Sequence, residues 1–308
     1  MKTQHIGKTG VVTTRMAYGC MRISFGWEPD KVTAEDRKKG RKAVIAAWEA
    51  GYRLFDHADI YCAGVCESIF AEAMKEVPGM RKEIIIATKC GIIFGGDPSP
   101  DSPGRYDFSA AHILKSCDAS LKRLGIETID IYQLHRPDVL MDPDEVAGAF
   151  AALYKQGKVR YFGVSNFLPS TVTALQSRLP WPLCVNQVEI HLGRLDCFVD
   201  GTLDQCLTMG MTPLAWSPLG GGRYGGGKGK DEKDRALIGV LDAVAKRCGV
   251  SRGVLTLAWL MRHPSGIIPI VGSADPDRIR EYAKADSVEV SREDWYRILV
   301  AARGEEMP

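Results

Sequence analysis

The sequence predicts a single-domain (β/α)8 barrel with an N-terminal β-hairpin. Short runs rich in Ile, Val and Leu alternate with amphipathic segments of helical period from residue 16 to residue 271. There are eight such runs, and neighbouring runs are far enough apart for one crossover helix each, as a parallel sheet requires. Eight strand–helix units in about 250 residues suit a closed barrel better than an open doubly wound sheet.

The segment "QHIGKTGVVTT" reads as a hairpin turned at Gly7 and Gly10, placed to plug the barrel floor. Predicted strands follow at 16–20, 52–56, 84–89, 129–135, 161–165, 184–189, 212–217 and 267–271. Helices are predicted at 35–50, 68–76, 110–124, 144–156, 170–178, 200–208 and 235–247, with "SRGVLTLAWLMRH" as one more before the last strand. In 110–124, Ile113, Leu114, Cys117, Leu121 and Leu124 form one stripe that must bury against the sheet. Gly125 then reads as the C-cap of that helix. Two connections, 91–109 and 219–233, exceed ordinary loop length and read as substrate and cofactor lids.

The chain has 308 residues, 45% apolar and 25% charged, the profile of a globular protein with a large core. A net charge of +2 gives no bulk case for nucleic acid or membrane binding. No apolar signal core opens the chain and no run of 18 apolar residues occurs. Nine cysteines without a CxxC pair read as free thiols in a reducing cytoplasm. The expected state is a monomer or weak oligomer.

Barrel chemistry sits at the C-terminal strand ends. Those ends deliver Asp56 with Tyr61, Lys89, His135, Ser165 with Asn166, Gln187 with Glu189, Trp216 with Ser217, and Gly272 with Ser273. The first four complement one another. A free tyrosine has a pKa of about 10 and is a poor acid at neutrality. Bringing it to about 7 takes roughly 4 kcal/mol, which one cation at about 4 Å supplies in a medium of effective dielectric near 20. Lys89 is the candidate cation, and Asp56 is the anion that keeps it charged. His135 can orient a carbonyl oxygen through a ring N–H. Together they make a proton donor aimed at a carbonyl becoming an alkoxide.

The motifs "LFDHADIY", "IIIATK", "IDIYQLHRP", "GVSNF", "NQVE", "AWSPLG" and "IIPIVGSADPDRIRE" occur in the order seen in the aldo-keto reductase superfamily. Over nearly its whole length the chain resembles the short bacterial branch of that family. The resemblance implies a (β/α)8 barrel that reduces aldehydes or ketones with NADPH. It makes Tyr61 the proton donor, Lys89 and Asp56 its tuners, and His135 the group that positions the substrate. It also assigns Ser165, Asn166 and Gln187 to the nicotinamide carboxamide and Trp216 to stacking on the ring. Ser217, Leu219 and Gly220 then begin the cover of the pyrophosphate. Gly272, Ser273 and Arg278 fall where the family holds the 2′-phosphate, and a guanidinium there favours NADP over NAD. The same fold and cofactor site occur in potassium-channel beta subunits, a binding rather than catalytic alternative.

"GGGRYG" satisfies GxGxxG, and "GRYGGGKG" nearly satisfies the P-loop pattern, but neither glycine run leads directly into a helix. The segment reads instead as a mobile flap, with Arg223 or Lys228 toward phosphate. His57, Asp59 and His135 are too few, with no HxH pair, to indicate a metal site. His57 reads as a packed neighbour and Asp59 as a cap or turn residue. Glu189 reads as solvated or as support behind the site. Cys62 is the thiol whose modification blocks the pocket. Met21, Trp27 and Phe94 are expected to wall the substrate pocket, with Met21 where many relatives carry tryptophan. The short tail after Trp295 leaves the site open, with broad aldehyde acceptance and high Michaelis constants expected.

Overall fold

A computed structural model describes residues 1–307. Strands β1 (Thr3–His5) and β2 (Val12–Thr14) form the antiparallel hairpin, pairing Gln4 with Thr13. The chain then alternates β3 (Ala17–Gly19), α1 (Ala34–Glu49), β4 (Leu54–Asp56), α2 (Val65–Glu76), the single turn α3 (Met80–Glu83) and β5 (Ile85–Cys90). A small ribbon, β6 (Ile92–Ile93) with β7 (Arg105–Tyr106), precedes α4 (Ala110–Leu124) and β8 (Ile129–Leu134). Next come α5 (Pro143–Lys155), β9 (Val159–Ser165), α6 (Pro169–Gln176), β10 (Val185–Glu189), α7 (Thr202–Met209) and β11 (Thr212–Trp216). The chain closes with α8 (Glu232–Cys248), α9 (Arg252–Met261), β12 (Ile268–Val271), α10 (Pro276–Ala283) and α11 (Arg292–Arg303).

Eight strands close a parallel barrel in the order β3-β4-β5-β8-β9-β10-β11-β12, with β12 returning to β3. The predicted (β/α)8 architecture is therefore present. Polar side chains cap the starts of α1, α4, α5, α8, α9, α10 and α11. Thr33 and Asp36 form a reciprocal capping box on α1, and Gly125 ends α4 in the left-handed conformation (φ 65°), as its sequence position predicts.

Side chains alternate along each strand, and this periodicity positions the site. Leu54, Ala87, Ile131, Val185 and Leu214 lie inside the barrel with Ile6, Ala17, Cys184, Ile268 and Ile270. Two residues further along the same faces come Asp56, Lys89, Gln133, Gln187 and Trp216. Hydrophobic strand bottoms therefore fill the barrel, and polar strand tops gather at one mouth. Gly163 on β9 leaves room in this lining, since a Cβ there would lie 2.3 Å from Val185 Cγ2.

The hairpin plugs the opposite end. Ile6 is fully buried, Gly7 N donates to Thr212 Oγ1 (2.8 Å), and Gln4 Nε2 donates to Gly266 O (2.9 Å). These partners lie at strand beginnings.

Three sequence expectations change. The 91–109 connection contains the β6–β7 ribbon rather than being structureless. Helix α2 starts earlier than predicted, at Val65, directly after the turn that carries Tyr61. The residues after Trp295, read as a tail, continue α11 as far as Arg303, and Trp295 itself stacks on Trp259 at 4.9 Å and 8°. Each indole N–H of that pair donates to the other residue's carbonyl, at 3.0 and 3.1 Å.

Candidate functional site

Asp56 ends β4 and Lys89 nearly ends β5, its direct neighbour in the barrel. Lys89 Nζ donates to Asp56 Oδ1 and Oδ2 at 2.7 and 2.9 Å, to His57 O at 2.7 Å, and to Tyr61 Oη at 3.3 Å. Lys89 is 1% and Asp56 3% exposed. Burial lowers the Lys89 pKa, and the Asp56 carboxylate opposes that shift. An ammonium only donates, so Tyr61 Oη accepts from Lys89 and its own hydrogen is free to point elsewhere.

The Tyr61 ring lies 5.9 Å from the His135 ring at 80° and 6.4 Å from the Trp27 ring at 86°. Burial pushes the Tyr61 phenol well above its ordinary value, the Asp56 charge adds to this, and the Arg136 guanidinium opposes it. That direction is opposite to the depression toward 7 expected from the sequence. A raised pKa favours the protonated phenol at neutral pH. His135 is pushed well below its usual pKa, by burial first and then by Lys89 and Arg136. It is a neutral ring, and its Nδ1 is buried without a partner.

Tyr61 is carried on an unusual turn. Cys62, Ala63 and Gly64 follow it with φ of 48°, 48° and 87°, a left-handed run that costs a non-glycine residue roughly 1–2 kcal/mol. A Cβ on Gly64 would lie 2.4 Å from Arg123 Cδ. Arg123 Nε donates to buried Glu67 Oε2 (2.6 Å), and Glu67 Oε1 accepts from Thr88 Oγ1 (2.7 Å). An ion pair between α2 and α4 thus backs the turn. Glu67, Arg123 and Thr88 were not singled out from the sequence, which separates them widely and gives no local signal.

On the other side, Ser165 Oγ donates to Gln187 O (2.8 Å) and Asn166 Nδ2 donates to Ser165 Oγ (2.8 Å). Trp216 Nε1 donates to Asn166 Oδ1 (2.9 Å). Asn166 and Ser217 hold left-handed backbone, φ 62° and 50°. Gln187 Oε1 is buried without a partner, an acceptor suited to an amide N–H. Ser217 O accepts from Gly220 N (2.8 Å) and Leu219 O from Tyr224 N (3.1 Å), making a tight turn. Gly272 is exposed, and Ser273 O accepts from Tyr18 Oη (2.9 Å). Arg278 is exposed on α10 and free to face a phosphate.

The glycine segment carries local structure that its sequence did not predict. Residues Gly220–Gly225 form 3₁₀ turns. Arg223 donates to Asp234 Oδ2 (2.8 Å) and Tyr224 Oη to Asp234 Oδ1 (2.7 Å), so Arg223 is committed within the protein. His57 is fully buried, edge-on to Phe70 at 4.5 Å, as a packed neighbour should be. Asp59 is not a cap. Its Oδ1 is buried without a partner, and burial plus the Glu67 charge push its carboxyl up to about 7. Glu189 pairs with Arg194 (3.2 Å) and His191 (3.3 Å). Cys62 is buried, and burial raises its thiol pKa. Met21, Trp27 and Phe94 are exposed, and Phe94 makes no ring contact with Trp27 or Tyr61. Arg136 was also missed, although it directly follows His135. Among the described residues no group of three or more His, Cys, Asp or Glu is arranged to hold a metal ion, and no helix is long and apolar enough to cross a membrane.

A sequence model of the Aldo/keto reductase family matches residues 15–301. A 6-dehydroglucose reductase of Novosphingobium aromaticivorans is 42% identical over 311 aligned residues, covering 99% of this chain and 97% of that protein. A 6-dehydroglucose reductase of Agrobacterium fabrum is 36% identical, covering 96% of each. The solved structure of a glycerol dehydrogenase from Gluconobacter oxydans superposes with a TM-score of 0.87 at 24% identity, covering 99% of this chain and 97% of that one, a likeness of fold.

Proposed function

The chain belongs to the aldo/keto reductase family, and from that premise we propose that it reduces aldehydes or ketones to alcohols with NADPH, Tyr61 giving the proton. One observation carries the reading. A buried ammonium, braced on a carboxylate, donates to a phenol whose own hydrogen is free beside a neutral imidazole.

When bound, the reduced nicotinamide supplies the hydride. Trp216 would face that ring, and Ser165, Asn166 and Gln187 would hold its carboxamide, with the unpartnered Gln187 Oε1 as one acceptor. Ser217, Leu219 and Gly220 would lie along the pyrophosphate, and Gly272, Ser273 and Arg278 would take the 2′-phosphate, the basis for NADPH over NADH. His135 donates a ring N–H to the substrate carbonyl oxygen and orients it. As negative charge grows on that oxygen, it becomes a stronger base than phenolate and takes the Tyr61 proton. Lys89 remains at 3.3 Å to stabilise the phenolate that is left. The raised resting pKa of Tyr61 keeps the donor loaded at neutral pH. Loops 91–109 and 219–233 act as lids on the substrate and cofactor sides. Met21, Trp27 and Phe94 form the apolar outer wall. The nine free cysteines fit a reducing cytoplasm.

The 6-dehydroglucose reductases among the relatives make sugar aldehydes the first substrates to test. Tyr61→Phe should cut turnover by several orders of magnitude, while a fluorescence titration still shows NADPH binding. Retained turnover in that variant rejects the role given to Tyr61.

A further inference from the structure

Arg136 stands at the same mouth with no ion-pair partner among the described residues. It is half-buried, and its guanidinium carbon lies 5.2 Å from the centre of the Trp216 ring. Nearby acids are committed elsewhere. Asp138 accepts from the backbone N–H groups of Phe108 (3.1 Å) and Leu140 (2.9 Å). Asp56 is held by Lys89, and Glu189 by Arg194 and His191. The Arg136 charge is nevertheless felt at both Tyr61 and His135, so it lies within electrostatic reach of the reacting carbonyl. A partly desolvated cation without a counter-ion is costly, and a bound anion removes that cost.

We propose that Arg136 is a specificity-determining residue that grips an anionic substituent carried by the carbonyl substrate. This rests on the reductase reading and names a substrate class within it. The carbonyl end meets Tyr61 and His135, and the anionic end meets the guanidinium. The guanidinium stands over the Trp216 ring as a cation over an aromatic face, and it makes no ion pair among the described residues. Trp216 is itself fixed by its bond to Asn166 (2.9 Å), so the surface is rigid. Carboxylate, sulfonate and phosphate share the charged oxygens that such a fork recognises. A methylene-rich or aromatic spacer suits the exposed Trp27 and Met21 beside the opening.

The test is a ratio, which cancels any general change in activity. Values of kcat/KM are measured for 4-carboxybenzaldehyde and 4-formylbenzenesulfonate, each divided by that of neutral 4-carbamoylbenzaldehyde. The native protein should favour at least one anion by about tenfold or more, as a charge-assisted hydrogen bond allows. Arg136→Gln should bring the ratio near one, and Arg136→Lys should restore part of it. A ratio near one in the native protein, or one unchanged in Arg136→Gln, overturns the proposal. So does a tenfold loss of NADPH affinity in Arg136→Gln with the ratio intact, since the guanidinium then serves the cofactor. If no aldehyde is turned over, the reductase reading has failed separately. The grip is then measured with terephthalate and terephthalamide by tryptophan fluorescence. About tenfold tighter terephthalate binding in the native protein than in Arg136→Gln sustains it, and equal binding ends it.

Discussion

Asp59 holds a carboxyl inside the protein, between Asp56 and Tyr61 in the chain. Burial and the Glu67 charge raise its pKa to about 7, while Arg123 pulls the other way. Its folded pKa therefore lies above the unfolded value of about 4. The folded state holds the proton more tightly, so this contribution to stability is full below about pH 4 and is lost as pH rises to about 7. The loss is on the order of 2–4 kcal/mol. Asp59→Asn should remove it. In urea unfolding, the variant's advantage over the native protein should be larger at pH 8 than at pH 5, and equal differences would contradict the shift. His57 shows the opposite arrangement. Burial and the Lys89 charge bring its ring down to about 3, leaving it neutral with both nitrogens unpartnered. It serves the site through its backbone carbonyl, which accepts from Lys89.

Segment 219–233 shows how an element is tied down from outside itself. Asp234, in the first turn of α8, holds Arg223, Tyr224 and the backbone N–H of Lys230 (3.1 Å). From α9, Arg252 donates to Gly227 O (2.8 Å) and Thr256 to Tyr224 O (3.1 Å). Asp234→Ala cuts the first set and leaves the second. Stopped-flow release of NADPH should become about tenfold faster, as expected from losing hydrogen bonds to a charged group. An unchanged release rate would remove the lid role from this loop. The glycines were visible in the sequence, but they signal only permissive backbone. The clasp was not visible, because it depends on where α8 packs. The left-handed turn after Tyr61 is similar, since Cys62 and Ala63 do not ordinarily adopt that conformation and Arg123 from another helix backs it.

Across the whole molecule, the two barrel ends are specialised. One end is closed by the hairpin, with Ile6 buried against the strand beginnings. The other carries the polar constellation. Ile6→Ala opens a cavity at the closed end and should cost about 2–5 kcal/mol, seen as a lower urea midpoint. The NADPH dissociation constant should stay within about twofold, because the mutated side chain lies at the floor. A large loss of cofactor binding would show that the two ends are coupled. Helix α11 adds a second closure on the outside, where Trp295 and Trp259 stack and exchange hydrogen bonds.

The alternation of apolar strands with amphipathic helices determined the barrel, and the strand-end positions of Asp56, Lys89, His135 and Trp216 determined which residues share its mouth. Both follow from local rules, the period of two along a strand and the parallel direction of every strand in the barrel. Tertiary structure alone decided that burial raises the Tyr61 pKa, that Arg123 and Glu67 brace its turn, and that Arg136 has no ion-pair partner among the described residues. These properties depend on burial and on distances between groups far apart in the chain, and no local pattern encodes them.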